Sequence, residues 1–278
     1  MWTRLSIGAD AMEPQLLALG AAGAFAMGTT LGIFGAGGSI LTVPILVYLL
    51  LYPPVLAAHY SLFIVGIVSA FGFFWQQNEG PVKWKKIAGF AVPALIGMFF
   101  IKRIILPALP ETIRFSALSF TLNQATLVVF SVLMISAAAS MIFLPIRERK
   151  NSADYAYKSL PFLGIIGLAV GLVTGFVGAG GGFLIVPALI FLAKVSVKDA
   201  TRASLFLIAI NSIFGFLVGT RNWGSVPFGS LFLLVGFALI GIVSGLWLQK
   251  RIAAPKLKPA FGFFVLGMGI YVLFTSSI

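Results

Sequence analysis

The chain is expected to be an all-α polytopic membrane protein, with about ten hydrophobic segments forming two inverted five-segment repeats whose helices are broken by glycine. Three observations lead there. Composition is 60% hydrophobic and only 9% charged, with a mean hydropathy of +1.07 over 278 residues, whereas a soluble domain carries roughly 25% charge. Apolar stretches approaching the ~20 residues of a spanning helix recur along the whole length. The sequence is also duplicated: 28–44 (GTTLGIFGAGGSILTVP) and 171–187 (GLVTGFVGAGGGFLIVP) agree at 9 of 17 positions, and 57–73 and 200–216 at another 9 of 17, both at an offset of 143. A gapless offset held over two blocks marks an internal repeat rather than biased composition.

Charges, prolines and glycines delimit the segments at 15–34, 39–52, 57–75, 86–105, 114–144, 160–177, 183–194, 200–219, 227–249 and 259–277. The second and seventh are short for spanning helices, and the fifth is long enough to run past the bilayer. Residues 1–144 form the N-terminal repeat, 145–158 (PIRERKNSADYAYK) a polar linker, and 159–278 the C-terminal repeat. The first 15 residues mix charged with apolar side chains and lack a signal-peptide core, so they are expected to stay in the mature protein.

Positive charge sets the orientation. With the loop at 76–86 cytoplasmic, that side holds Lys83, Lys85, Lys86, Arg147, Arg149, Lys150, Lys158, Lys194, Lys198, Arg202, Lys250, Arg251, Lys256 and Lys258, which is 14 of the 19 Lys and Arg residues. The other side holds Arg4, Lys102, Arg103, Arg114 and Arg221. This asymmetry places both termini outside an inner, cytoplasmic membrane. Scattered basic loops facing an anionic leaflet account for the net charge of +12 without a nucleic-acid partner. Five segments per half is an odd number, so the second copy inserts upside down relative to the first, the arrangement of many secondary transporters. A re-entrant hairpin formed by the first two segments would leave that parity unchanged.

The glycine runs Gly35, Gly37, Gly38 and Gly178, Gly180, Gly181, Gly182 interrupt apolar helices. Irregular backbone at membrane depth is tolerated where it lines a cavity or is buried in protein. Each run precedes a short helix whose first amides lack intrahelical partners, which makes a site for an anion. The competing reading is close helix contact, and Gly28-xxx-Gly32 and Gly171-xxx-Gly175 fit that role. A nucleotide-binding loop is excluded because no P-loop lysine or dinucleotide-fold acid follows.

The doubled G-x-GGG-x-L-x-VP motif, each copy followed by A-x-x-x-SL, resembles the TauE/SafE family of sulfite exporters and related organosulfur anion transporters. The likeness covers essentially the whole chain. It implies movement of small anions such as sulfite, thiosulfate or organosulfonates. The first copy departs from the pattern at Ser39, which replaces the glycine found at Gly182 and adds a hydroxyl able to donate to an anion.

Further candidates lie in the third and eighth segments. His59 and Ser61 match Arg202 and Ser204 by repeat position, and Ser69 matches Ser212. Helical serines commonly bond back to a carbonyl, and a terminal Arg commonly snorkels. One cation near each mouth would alternatively draw an anion inward. Asn211, deep in its segment, needs partners in hydrocarbon and is a candidate pathway residue, and Asn123 and Gln124 raise the same question. Lys102 with Arg103, and Lys250 with Arg251, read as interface anchors, and Trp75, Trp84, Trp223 and Trp247 as an aromatic belt.

All seven acids (Asp10, Glu13, Glu79, Glu111, Glu148, Asp154, Asp199) fall in loops or at segment ends, so no deep carboxylate is available for a proton relay. The expected carrier therefore runs on the substrate gradient and the membrane potential, where one negative charge leaving the cell gains about 2.3 kcal/mol per 100 mV. Export of an anion needs no further coupling by that sign, whereas import would need it, so both directions stay open with export the expected one. A passive anion channel and a carrier of small carboxylates are the alternatives. With one His, no Cys and no deep carboxylate, paired catalytic groups, a metal site and a cofactor are not expected. The expected partners are a small anionic substrate and the lipid bilayer.

Overall fold

The computed structural model describes residues 14–35, 38–76, 84–108, 112–115, 118–143, 160–177, 182–189, 197–220, 226–252 and 254–276. The linker at 145–158 and the first 13 residues lie outside this set. Helix α1 (Pro14–Phe34) starts on a proline, which its first turn accepts. It stops at Gly35, whose φ of +71° favours glycine and whose N–H bonds the Leu31 carbonyl at 2.8 Å. Helix α2 (Gly38–Pro44) continues into a π-helical turn (Ile45–Leu49). It runs back along α1: Gly38 sits on the Met27 carbonyl, Gly23 against Ile45 and Gly20 against Leu50. The 12 residues Gly38–Leu49 span about 18 Å at 1.5 Å per residue, well short of a ~30 Å hydrocarbon core. The first two segments therefore form a helical hairpin with a short second arm, the case in which the segment parity is kept.

Pro53 and Pro54 then open α3 (Pro54–Trp75). Helix α4 (Trp84–Phe100) is prolonged by a π-helical turn (Ile101–Ile105) and a last turn, α5 (Leu106–Ala108). A short antiparallel hairpin follows, β1 (Thr112–Phe115) with β2 (Leu118–Thr121), Thr112 opposite Thr121. It occupies the start of the expected fifth segment, which is thus an ordinary spanning helix, α6 (Leu122–Phe143), and not an over-long one. Hydrophobicity alone does not separate such a stretch from helix; the β-branched and aromatic Ile113, Phe115 and Phe120 favour extended backbone. The second half comprises α7 (Leu160–Val177), α8 (Gly182–Pro187), α9 (Val197–Gly219), α10 (Phe228–Gln249) and α11 (Ala254–Ser276).

The fold is that of an all-α polytopic membrane protein. Among the described residues, five helices are long and apolar enough to cross a bilayer, at Pro54–Trp75, Ile87–Ala108, Thr126–Phe143, Thr201–Gly219 and Phe228–Gln249, and shorter apolar helices lie at Ala18–Phe34, Gly38–Leu49, Pro161–Phe176 and Gly262–Thr275. Side chains such as Ile96, Phe143, Ile165, Phe232, Phe263 and Phe274 are 57–80% exposed, as an outer face in contact with lipid requires.

The helices pair across the two halves: α1 with α10, α4 with α7, α3 with α9 and α6 with α11. Glycine makes the first two pairings close. Gly28 lies on the Ala238 carbonyl and Gly241 on the Phe25 carbonyl; at the repeat-equivalent places, Gly171 lies on the Ala94 carbonyl and a Cβ on Gly97 would come 2.7 Å from the Leu168 carbonyl. Any side chain there would push two backbones apart, the small-residue packing expected of Gly28-xxx-Gly32 and Gly171-xxx-Gly175. Contacts advance in step along both of these pairs, which are parallel. Between α3 and α9 they run in opposite order, with His59 beside Gly219, Leu62 beside Gly215, Gly66 beside Ser212 and Phe73 beside Phe206. Helices α6 and α11 are likewise antiparallel, Gly262 meeting Met141 and Gly269 meeting Met134.

Candidate functional site

The antiparallel α3/α9 crossing concentrates the buried polar side chains. Ser61, Ser69, Ser204, Asn211 and Ser212 are all fully buried there. Two of them satisfy themselves within the fold. Ser61 donates to the Ala58 carbonyl at 2.9 Å, and Ser204 shares its proton between the carbonyls of Thr201 (2.6 Å) and Gly35 (2.9 Å). The remaining three do not. Ser69 Oγ, Ser212 Oγ and both amide atoms of Asn211 have no hydrogen-bond partner, although Ser131, Ser140 and Thr174 on other helices all return their hydroxyls to a carbonyl. A Cβ on Gly66 would lie 3.3 Å from Ser212 Cβ, and Ser69 is one turn beyond Gly66 on the same face of α3. The unpartnered groups therefore gather at the midpoint of the crossing. Each unsatisfied buried group costs about 1–3 kcal/mol, so this is a place where the fold alone leaves polar capacity unused.

The first glycine break touches one end of this pair. Gly35 packs against Thr201 at the start of α9, and its carbonyl takes the Ser204 proton. Gln249 Nε2 donates to the Ile33 carbonyl at 2.8 Å, satisfying the last turn of α1 from α10. Gly38 and Ser39 are buried at the start of α2. Gly37, Gly178, Gly180 and Gly181 lie outside the described residues, and Gly182 opens α8. A substitution at Gly38 would meet the Met27 carbonyl and Leu31, so close packing is part of what that glycine does.

His59 and Arg202 stand at opposite ends of the crossing, because equivalent positions of antiparallel helices do so. His59 stacks on Phe216 with ring centroids 4.9 Å apart, and its Nε2 lies 2.9 Å from Thr220 Oγ1. That hydroxyl already donates to the Phe216 carbonyl at 2.7 Å, so the contact uses a proton on His59 Nε2 and the Thr220 oxygen as acceptor. Arg202 is half-buried. Lys102 corrects the sequence reading: it is no interface anchor but 8% exposed, turned inward beside His59 and Gly219, while its neighbours Arg103 and Ile104 face outward. Its spacing next to Arg103 gave no sign of this; the π-helical turn that carries it decides which way it faces. Arg251 is exposed, its guanidinium 3.6 Å from the centroid of the exposed Trp247 ring. Trp75 is exposed at the end of α3, and Gln124 is half-buried in α6. Among the described residues, no three of His, Cys, Asp or Glu gather into a metal-holding group.

These positions can be set beside known proteins. A protein described as "Probable membrane transporter protein" from Xylella fastidiosa (strain Temecula1) is 29% identical over 260 residues, covering 90% of this chain and 92% of its own. One of the same description from Haemophilus influenzae is 27% identical over 264 residues, covering 86% and 91%. No solved structure matches the chain. The family model described as Sulfite exporter TauE/SafE matches residues 19–272, from the first helix to the last and across both glycine breaks. The chain therefore belongs to the TauE/SafE sulfite exporter family.

Proposed function

We propose that the protein is a secondary carrier that exports small sulfur-containing oxyanions, such as sulfite, thiosulfate or organosulfonates, across the cytoplasmic membrane. The observation that carries this reading is the set of unpartnered donors at the centre of the fold. Asn211 offers two N–H groups, and Ser69 and Ser212 one O–H each. Oxyanion oxygens accept from all of them. The Asn211 carbonyl oxygen accepts in turn from a monoprotonated anion such as hydrogensulfite.

Inverted insertion of the halves is part of the proposal. Its support is the pairing pattern: equivalent helices meet antiparallel (α3 with α9, α6 with α11), while the first helix of each half packs parallel to the fourth of the other. An axis in the membrane plane relating two copies requires this combination. The glycine breaks then approach opposite ends of the crossing. Ser204, which holds the first break, is seven residues from Asn211, about 10 Å along the helix. The amides of the GAGG runs and Ser39 would accordingly hand an anion to the central cluster from either side, and rocking of the halves would alternate access. Chemistry on the solute is not part of the proposal.

Purified protein in liposomes should give saturable uptake of radiolabelled sulfite that is accelerated by sulfite on the opposite side. Flux that rises linearly with concentration and shows no counter-flow would make it a channel. Transport of acetate or succinate with none of sulfite or thiosulfate would move the substrate class to carboxylates.

A further inference from the structure

We propose that Lys102, flanked by His59 and Gly219, forms a second anion-binding site, at one end of the α3/α9 crossing and separate from the central serine–asparagine cluster. The identity of its occupant as a transported oxyanion rests on the carrier reading above; the existence of the site does not.

Four observations converge. Lys102 lies within the membrane-length stretch Ile87–Ala108 yet is 8% exposed. Its ammonium does not snorkel along the lipid-facing side that Arg103 and Ile104 occupy, but points between helices: a Cβ on Gly219 would be 3.3 Å from Lys102 Nζ and 2.9 Å from His59 Nδ1. The absence of a side chain at Gly219 is what leaves both nitrogens facing one small space. Second, α3 and α4 contain no acid at all, and the only one in α9, Asp199, is at the opposite end of that helix. A buried ammonium without a carboxylate is costly, and its three N–H donors suit an oxyanion, which brings both charge and acceptors. Third, Lys102 sits in the π-helical turn Ile101–Ile105, a distortion frequent at functional positions; α10, the repeat counterpart of α4, is α-helical throughout.

Fourth, the two ends of the crossing are charged by different helices. Met98 packs on Gly175 as Ile242 packs on Gly32, which makes buried Leu246 the counterpart of Lys102. The second half lacks the lysine but has Arg202 where the first has His59. Each end thus carries one basic side chain, on α4 at one and on α9 at the other. The charge is retained while the residue supplying it moves, as a function at each mouth demands and a packing role does not. His59, with its proton on Nε2 committed to Thr220, turns the lone pair of the neutral ring on Nδ1 towards the side of the ammonium.

The test uses purified full-length protein titrated with sodium sulfite and sodium thiosulfate, reading thermal stabilisation, and the same variants in liposomes, reading KM and kcat separately. K102Q should weaken anion binding and raise KM by about tenfold or more, with kcat and the anion-free melting temperature little changed. K102R should stay near wild type, and R103Q should be indistinguishable from it. Should K102Q not fold, acylation of Lys102 by an amine-reactive ester, read by mass spectrometry, decides the matter on the native chain: millimolar sulfite should protect it. Unchanged binding in K102Q, or acylation that sulfite does not slow, overturns the site. So does equal loss of anion-free stability in K102Q and E111Q, which would mark an internal ion pair. Stabilisation by anions that K102Q abolishes, in a protein that shows no flux, would sink the carrier reading and leave this site standing.

Discussion

Replacing Asn211 by valine should make the protein more stable and stop it from transporting. Asn211 is fully buried, and both its Oδ1 and Nδ2 lack partners. Its repeat counterpart, Val68, is also fully buried, so the fold already accommodates valine at this kind of position. An unsatisfied buried donor or acceptor costs about 1–3 kcal/mol. Removing both at the low end of that range recovers about 2 kcal/mol, which for a chain of this size raises the melting temperature by about 4 °C or more. The assay is thermal unfolding of detergent-purified N211V and wild type without added anion, paired with sulfite flux in liposomes. The expected result is a higher melting temperature with flux reduced at least about a hundredfold, the trade-off that marks a site built for a ligand and not for the fold. An N211V protein that is less stable and transports normally would refute the reasoning, because it would mean that the amide is satisfied inside the protein and plays no part in the pathway.

Other outcomes follow from the same geometry. Gly171→Leu drives a side chain into the Ala94 carbonyl and should cost about 3 kcal/mol or more, seen as loss of monodisperse protein on size exclusion. Gly236→Ala is the contrast: nothing lies within 4 Å of a Cβ there, so melting should rise slightly through the roughly 1 kcal/mol of helix propensity that glycine forgoes. Ser204→Ala removes the bond to the Gly35 carbonyl and should lower stability by about 1 kcal/mol, whereas Ser136→Ala, an exposed hydroxyl bonded to its own helix, should melt like wild type.

Much of the architecture was legible because lipid imposes long apolar helices and because the repeat fixes which positions correspond. Eight of the ten expected segments coincide with helices to within a few residues, the seventh is described only as far as residue 189, and the antiparallel meeting of α3 with α9 follows from the odd segment count. The fifth segment differed because TIRF and LSFT run into an apolar helix with no proline or glycine between them, and only their residue shapes favour strands. Ser61 and Ser204 carried the same sequence signal as Ser69 and Ser212; whether a serine bonds back to its helix or is left unpaired depends on rotamer and neighbours, which spacing does not reveal. Lys102 was obscured for a related reason. Beside Arg103 at a segment end it has the pattern of an anchor, and its inward turn depends on one π-helical turn and on the missing side chain of Gly219.

The central claim, two oppositely inserted halves serving one pathway, is tested most directly by sided labelling. The chain has no cysteine, so A36C and A179C can each be introduced as a sole thiol, one beside each glycine break, and exposed to a membrane-impermeant maleimide from one face at a time. The account predicts that each reacts from one side only, A36C from the face opposite to that of A179C, and that sulfite changes both rates. Reaction of both thiols from the same face under every condition would contradict it.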